Sequence, residues 1–230
     1  MKKSSSIRLR GSRFGLIVAA GRGKRFGGPK QFARLGGRPA LLYSVQTFDR
    51  SPLVSGLVVA ANADKVDYVQ QLLRRYRVKK LVAVVAGGVE RHNSVAAGLE
   101  HLPAEGCVAI HDAARPFVTA AMLRQGFEAC RRYGAATFGH PVTDTLKRVD
   151  GFGVIETVDR ESLVAVQTPQ FFNLNLLRRA YAEAEKAGVS PTDDCALVER
   201  LGIRPRWLSG PRTNLKITNP EDLRICEALL

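Results

Sequence analysis

The chain has 230 residues, 45% of them hydrophobic, and a formal net charge of +14. This length suits one sizeable α/β domain, and no apolar run approaches the roughly 18 residues of a membrane-spanning helix, so we expect no membrane contact. The basic start of the chain has no apolar segment after it, so we expect residues 1–13 to be a flexible tail rather than a secretory signal, and the protein to be cytoplasmic.

Four cysteines lie in the sequence without a C-x-x-C pair or a histidine at metal-ligand spacing. We therefore expect reduced, buried thiols. The charge suits a protein that binds nucleic acid or small polyanions, or one from an arginine-rich proteome. Because no aromatic RNA-binding pattern, zinc spacing or basic helix is present, nucleic-acid binding is a distant alternative and we expect no nucleic-acid partner.

Apolar runs rich in β-branched residues predict buried strands at residues 15–20, 56–61, 80–86 and 107–111. Stretches with helical periodicity lie between them, at residues 39–49, 64–76, 93–102 and 119–133. Strands that alternate with helices predict an α/β fold with a Rossmann-like, mostly parallel sheet flanked by helices. We expect one domain over residues 14–230.

The alternation ends after Pro141. Strand-like segments around the turn at residues 150–153 predict a β-arm or flap inserted at residues 142–166. Helical periodicity returns at residues 174–187 and 193–201, and short strands are expected around Trp207 and at residues 215–217. A last helix begins near Asn219, a good N-cap followed by a proline.

The loop after the first strand, residues 19–30, is rich in glycines, whose backbone N–H groups can approach phosphate oxygens closely. Four cations lie in the same loop: Arg22, Lys24, Arg25 and Lys30. Phe26 stands where the dinucleotide fingerprint needs its third glycine, and Arg25 follows Lys24 where a P-loop needs Ser or Thr. The pattern predicts a polyphosphate cradle of a different kind.

Ala19-Ala20-Gly21-Arg22-Gly23, then Arg25, then Pro29-Lys30-Gln31 resembles the signature loop of sugar-phosphate nucleotidyltransferases. The chain is most similar, over residues 14–230, to the 2-C-methyl-D-erythritol 4-phosphate cytidylyltransferases of the non-mevalonate isoprenoid pathway. The resemblance implies the nucleotide-diphospho-sugar transferase fold and transfer of CMP from CTP to methylerythritol phosphate with release of pyrophosphate. Ribitol 5-phosphate cytidylyltransferases share the H-D-A-x-R-P and T-P-Q motifs and remain the alternative.

The segment 87–95 follows the third strand, and its glycines and serine can present polar groups to a base edge. The resemblance implies cytosine contacts there, although Val89 replaces the aspartate that the family often has; helix capping by Asn93 or Ser94 is the alternative interpretation. The CTP contacts implied are Ala19, Ala20, Gly21, Gly23, Gly88, Ser94, Asp112 and Ala113.

Asp112, at the end of the fourth strand beside the cradle, is placed to hold Mg²⁺ or another divalent cation, and an Asp–Arg pair that fixes a turn is the alternative. We expect His111 to be structural. The acceptor contacts that the resemblance implies are Arg115, Thr145, Arg160 and Thr168. It also implies that the arm crosses to a second subunit, so a homodimer is expected.

A phosphate monoester is already an anion, so as a nucleophile it needs no general base. Catalysis then depends on alignment and on cations directed at the α-phosphate of CTP. The resemblance assigns this role to Arg25, Lys30 and Lys216. Thr192-Asp193-Asp194 matches a family segment beside the site and equally a helix N-cap with acids in the first turn, so it receives no role.

Overall fold

The computed structural model describes residues 11–230, so most of the predicted basic tail lies outside the described residues. The strands, in chain order, are β1 (Arg13–Ala19), β2 (Arg34–Leu35), β3 (Arg38–Pro39), β4 (Gly56–Ala61), β5 (Leu81–Ala86), β6 (Cys107–Asp112), β7 (Ala135–Pro141), β8 (Leu146–Val149), β9 (Val154–Val158), β10 (Val164–Asn173) and β11 (Arg206–Ser209). The helices are α1 (Ala40–Arg50), α2 (Val66–Arg75), α3 (Arg91–Leu99), α4 (Ala120–Tyr133), α5 (Leu174–Lys186), α6 (Asp194–Glu199) and α7 (Pro220–Ala228).

The central sheet has seven strands in the order β11-β7-β10-β6-β1-β4-β5. All neighbours pair in parallel except β10, which runs antiparallel to both β6 and β7. The mostly parallel sheet and the first four strand–helix units are therefore confirmed, with boundaries that differ by a few residues at most. Parallel pairing brings the carboxyl ends of β1, β4, β5 and β6 to one edge of the sheet, where open α/β sheets bind ligands.

Both faces of the central strands β1, β4 and β6 are buried, which explains why these strands are continuous apolar runs. Neighbouring residues of β1 point to opposite faces: Ile17 packs with α1, α2 and α4, and Leu16 packs with α3, α5 and α6. Gly98 of α3 lies so close to Leu16 that a β-carbon there would be 2.3 Å from a Leu16 methyl. The absence of a side chain at Gly98 lets α3 pack directly on β1.

The predicted insertion contains a hairpin in which β8 and β9 form a separate two-stranded antiparallel sheet. Its turn is closed by Asp150, whose Oδ1 accepts hydrogen bonds from the backbone N–H groups of Phe152 and Gly153 at 2.9 and 3.1 Å. The predicted range extends too far, since β10 already begins at Val164 in the central sheet. The role of this hairpin as an intersubunit arm stays a prediction.

Two sequence interpretations need correction. Strand β10 was missed because Pro169 and the surrounding polar residues resemble a loop, whereas the strand continues through them with a register shift between Gln167 and Gln170. The expected strand at residues 215–217 is wrong: this segment is irregular and is held by single bonds such as Ile217 N–H to the Ala114 carbonyl at 2.8 Å.

The expectations for the last helix and for the cysteines are confirmed. Asn219 forms a capping box at the start of α7, with Pro220 in the first turn. The four cysteines are free thiols, three of them buried and Cys107 half-buried. None of the helices within residues 11–230 has the length and apolar character that crossing a bilayer requires.

Candidate functional site

A cavity of about 280 Å³ opens at the carboxyl edge of the sheet, between the loop after β1, the start of α3 and the end of β6. It brings together all eleven predicted catalytic and CTP-binding residues: Ala19, Ala20, Gly21, Gly23, Arg25, Lys30, Gly88, Ser94, Asp112, Ala113 and Lys216. The two lysines come from segments that are distant in the sequence, so their common cavity is a property of the fold.

The glycine-rich loop is held in one conformation by hydrogen bonds. Gly23 has φ +63, and its carbonyl accepts the backbone N–H groups of Phe26 and Gly28 at 2.9 and 3.2 Å. A β-carbon on Gly23 would lie 1.8 Å from the Gly28 carbonyl oxygen, so only glycine fits there. The buried Gln31 side chain donates to the carbonyls of Ala19 and Gly21 at 2.7 and 3.0 Å, which ties the two ends of the loop together.

Asp112 lies at the bottom of the cavity with both carboxylate oxygens paired. Oδ1 accepts from Arg91 Nε at 3.1 Å, and Oδ2 accepts from Lys216 Nζ at 2.6 Å. Burial alone would raise the pKa of Asp112, but the charges of Arg91 and Lys216 outweigh burial and hold that pKa far below its ordinary value. Asp112 is therefore an anion at neutral pH, at the point where the cations of the site converge.

Lys30 is half-buried in the same cavity. Burial, and then the positive charge of Lys216, lower the pKa of Lys30. The two ammonium groups therefore repel each other, and a bound phosphate would relieve this repulsion. The arrangement is suited to bind an anion that carries several charges.

A second cavity of about 180 Å³ adjoins the first and is also lined by Arg91, Asp112 and Lys216. Two of the predicted acceptor residues, Arg115 and Thr168, line it as well. Arg115 Nη1 donates to the Asn214 carbonyl at 2.8 Å, and burial lowers the pKa of Arg115. The site thus has two adjoining compartments, with Asp112 and Lys216 in the wall between them.

The Thr168 hydroxyl is part of the fold. It accepts from the backbone N–H of Asp112 at 3.0 Å and lies 3.1 Å from His111 Nδ1. Because His111 Nε2 lies 2.9 Å from the Arg115 carbonyl, we assign the proton to Nε2, and Nδ1 then accepts from Thr168. Burial lowers the pKa of His111 to about 4. His111 is a neutral structural residue, and a phosphate contact of Thr168 stays a prediction.

The family model for 2-C-methyl-D-erythritol 4-phosphate cytidylyltransferase matches residues 14–230. The chain belongs to this family. A cytidylyltransferase of that name from Geobacillus thermodenitrificans is 46% identical over 217 residues, which cover 94% of this chain and 95% of the relative. The protein of the same name from Halalkalibacterium halodurans is 43% identical with the same coverage.

Solved structures of cytidylyltransferases resemble the whole chain. The 2-C-methyl-D-erythritol 4-phosphate cytidylyltransferase of Thermus thermophilus is 35% identical, with a TM-score of 0.78 over 95% of this chain and 98% of that one. The 4-diphosphocytidyl-2C-methyl-D-erythritol synthase of Anaerococcus prevotii is 26% identical, with a TM-score of 0.83 over 95% and 96%. The predicted fold class is confirmed by these likenesses.

Two residues assigned from the cytidylyltransferase resemblance, Thr145 and Arg160, flank the hairpin and line neither compartment of the site. Both are exposed, and Arg160 Nη1 donates to the Thr143 carbonyl. A single chain therefore does not bring them to the second compartment, and their role stays a prediction.

Arg91 and Gln31 were missed by the sequence reasoning. Gln31 ends the signature loop and Arg91 lies within the segment 87–95, so a polar side chain inside a glycine-rich motif is the signal that could have indicated them. The capping alternative for residues 93 and 94 is half right: Asn93 caps α3 together with Glu90, whereas Ser94 lines the cavity. Asp193 is the N-cap of α6, as one of its two interpretations predicted.

Proposed function

We propose that this chain transfers CMP from CTP to 2-C-methyl-D-erythritol 4-phosphate, giving 4-diphosphocytidyl-2-C-methyl-D-erythritol and pyrophosphate for isoprenoid precursor synthesis. Membership of the family supports the reaction. The observation that carries it is the common cavity of Arg25, Lys30, Lys216 and Asp112. The relatives described above are methylerythritol phosphate enzymes by name, which does not favour the ribitol 5-phosphate alternative.

In this reaction an oxygen of the acceptor phosphate attacks the α-phosphorus of CTP, and the bond from that phosphorus to the bridging oxygen breaks as pyrophosphate leaves. The obstacle is repulsion between two anions, so cations at the α-phosphate are the main requirement. Arg25 and Lys30 reach the first compartment from the loop, and Lys216 reaches it from the irregular segment near the C-terminus. These three side chains would stabilise the charge that develops on the α-phosphate.

The acceptor is assigned to the second compartment. Lys216 faces both compartments, so its ammonium group can lie between the attacking and the attacked phosphate. Arg115 lines this compartment, and its exposed Nη2 makes only a long contact with the Val166 carbonyl, at 3.5 Å. An acceptor phosphate would satisfy such a donor, which supports the predicted contact.

The residues present fit a nucleotide-bound Mg²⁺. Mg²⁺ is commonly held by one or two carboxylates together with substrate phosphates, and Asp112 supplies one ionised carboxylate beside the predicted triphosphate position. Within residues 11–230, no cluster of three or more His, Cys, Asp or Glu residues could hold a metal by itself. Asp112 would therefore hold the ion jointly with CTP, and the ion would neutralise phosphate charge.

A homodimer would account for Thr145 and Arg160, because a hairpin that extends to a second subunit could place these residues in the partner's acceptor compartment. The hairpin exposes large apolar side chains, with Phe152 fully exposed at its turn and Val154 and Ile155 63% and 57% exposed. Contact with a second copy would cover this surface. The cytoplasmic location stays a prediction.

The proposed function is tested by incubating the purified chain with CTP, Mg²⁺ and either methylerythritol phosphate or ribitol 5-phosphate. Mass detection should find the cytidine diphosphate product of methylerythritol only, together with stoichiometric pyrophosphate. A product from ribitol 5-phosphate alone would assign the chain to the other acceptor. Omitting the divalent cation tests the metal separately.

A further inference from the structure

Arg91, the first residue of α3, reaches both compartments of the site and has no role in the reaction as described so far. Its Nε donates to Asp112 Oδ1 at 3.1 Å, and its Nη1 donates to Asp194 Oδ2 at 2.6 Å. The capping box of Glu90 and Asn93 fixes the backbone at this point. The direction of the planar guanidinium is therefore set by the two carboxylates that it joins.

Asp194 is fully buried and held on both sides. Its Oδ2 faces Arg91, its Oδ1 accepts from the Tyr181 hydroxyl at 2.6 Å, and its backbone N–H donates to Gln170 at 3.2 Å. Burial and the adjacent negative charge of Asp194 raise the pKa of Tyr181, so its hydroxyl stays a donor. A buried carboxylate with both oxygens paired has one favourable orientation, and this fixes Arg91 in turn.

At Asp112, the ion pair with Arg91 is the contact that the proposed reaction does not displace. Lys216 pairs with Asp112 Oδ2 in this structure, and the proposed function requires Lys216 to turn toward phosphate. When it does, Arg91 is left to hold the carboxylate of Asp112 at the angle that faces the nucleotide. An Asp112 side chain free to rotate would lose this alignment, on which the reaction depends.

We propose that Arg91 is a positioning residue for Asp112, and that Asp194 and Tyr181, which lie outside both compartments, fix Arg91 for this purpose. The inference rests on the proposed role of Asp112 at the nucleotide. Tyr181 lies on α5, remote from the glycine loop and without contact to the predicted phosphate position. Tyr181 also packs beside α3, in the cluster of Val95 and Leu99. We expect its effect on the use of CTP to pass through Asp194 and Arg91, and the double-mutant cycle below separates this route from the packing.

The first experiment compares Tyr181→Phe with Tyr43→Phe. Each removes one tyrosine hydroxyl with a short hydrogen bond, 2.6 Å to Asp194 or 2.7 Å to the Leu35 carbonyl. Tyr43 lies on α1 and packs with the separate cluster of Leu35 and Ile217 rather than beside α3. For Tyr181→Phe we expect kcat/KM for CTP to fall roughly tenfold, the effect of losing a partner that orients a metal ligand, while KM for the acceptor stays within about twofold. Tyr43→Phe should lower the unfolding midpoint without this loss.

A double-mutant cycle tests whether Tyr181 acts through Arg91. Arg91→Lys keeps the charge, but one ammonium group cannot reproduce the fork between the two carboxylates. Because Tyr181 acts through Arg91, adding Tyr181→Phe to Arg91→Lys should cost less than about twofold further in kcat/KM for CTP. If the two substitutions lower kcat/KM for CTP independently, so that their effects multiply in the double mutant, the proposal is overturned.

Two further results separate failure of this inference from failure of the proposed function. Should Asp112→Asn be inactive while Tyr181→Phe keeps wild-type CTP kinetics, the positioning role fails and the role of Asp112 stands. Should Asp112→Asn keep wild-type CTP kinetics, the role of Asp112 fails, and the positioning role with it. An equal loss of kcat/KM in Tyr43→Phe would also overturn the inference, because it would show a general effect of destabilisation.

Discussion

Lys216 forms an ion pair with Asp112, with Nζ and Oδ2 2.6 Å apart, in the wall that the two compartments share. The pair joins an irregular segment near the C-terminus to the end of β6. In this structure Lys216 neutralises part of the charge of Asp112, and its own charge adds to the burial that lowers the pKa of Lys30. One side chain thereby connects the predicted metal ligand with the cationic loop.

Lys30→Ala is expected to lower kcat at least about 100-fold, the usual cost of removing one donor to a developing anion. The fold should be retained and the unfolding midpoint unchanged or raised, since the substitution removes a half-buried cation that repels Lys216. Steady-state kinetics and thermal unfolding check both parts. Lys186→Ala, on the exposed side of α5, is the matched control. Activity within threefold of wild type would refute the role of Lys30.

Arg160→Ala should mainly raise the apparent KM for methylerythritol phosphate, by about tenfold for the loss of a charge-assisted phosphate contact, and leave KM for CTP within about twofold. Arg148→Ala, which breaks an exposed ion pair with Glu156 on the same hairpin, should change neither constant. Initial rates at varied concentrations of each substrate measure both. Equal damage to the two constants would count against the assignment of Arg160.

Gln31→Glu is nearly isosteric but directs a carboxylate at the carbonyl oxygens of Ala19 and Gly21. With Gln31 buried, both the glycine loop and the fold should suffer, so we expect kcat/KM for CTP to fall at least tenfold and stability to fall by roughly 1–3 kcal/mol. Gln71→Glu, an exposed substitution of the same kind on α2, controls for the added charge. Wild-type kinetics and unfolding in Gln31→Glu would show that the loop holds its shape without this amide.

Stability should fall as the pH drops from about 6.5 to about 4, in part because of His111. Its folded pKa of about 4 lies below the ordinary 6.5, so its contribution is complete above pH 6.5 and is lost as the pH falls through the folded pKa. The shift corresponds to roughly 3 kcal/mol. Urea unfolding of wild type and His111→Gln at pH 7, 5.5 and 4 should therefore give free energies that converge by about that amount. Parallel curves would contradict the buried neutral histidine.

Much of the fold and the glycine loop could be predicted from local sequence, whereas Gly88, Ser94 and Lys216 were assigned from the family resemblance. Apolar runs mark strands buried on both faces, and glycines with cations after β1 mark an anion-binding loop. The strand that contains Pro169 could not be predicted, since its neighbours in the sheet override the local proline signal. The ion pair of Arg91 with Asp194 could not be predicted either, because the two residues are 103 positions apart in the sequence.

The direct packing of Gly98 on Leu16 links the deep interior to the chemistry at the rim. Helix α3 is a rigid rod, and Arg91, seven residues from Gly98, lies about 10 Å further along it. Even one methyl group added at Gly98 would push α3 away from the sheet and shift Arg91 and Ser94 together. A substitution in the interior, without contact to any substrate, would then lower turnover as well as stability.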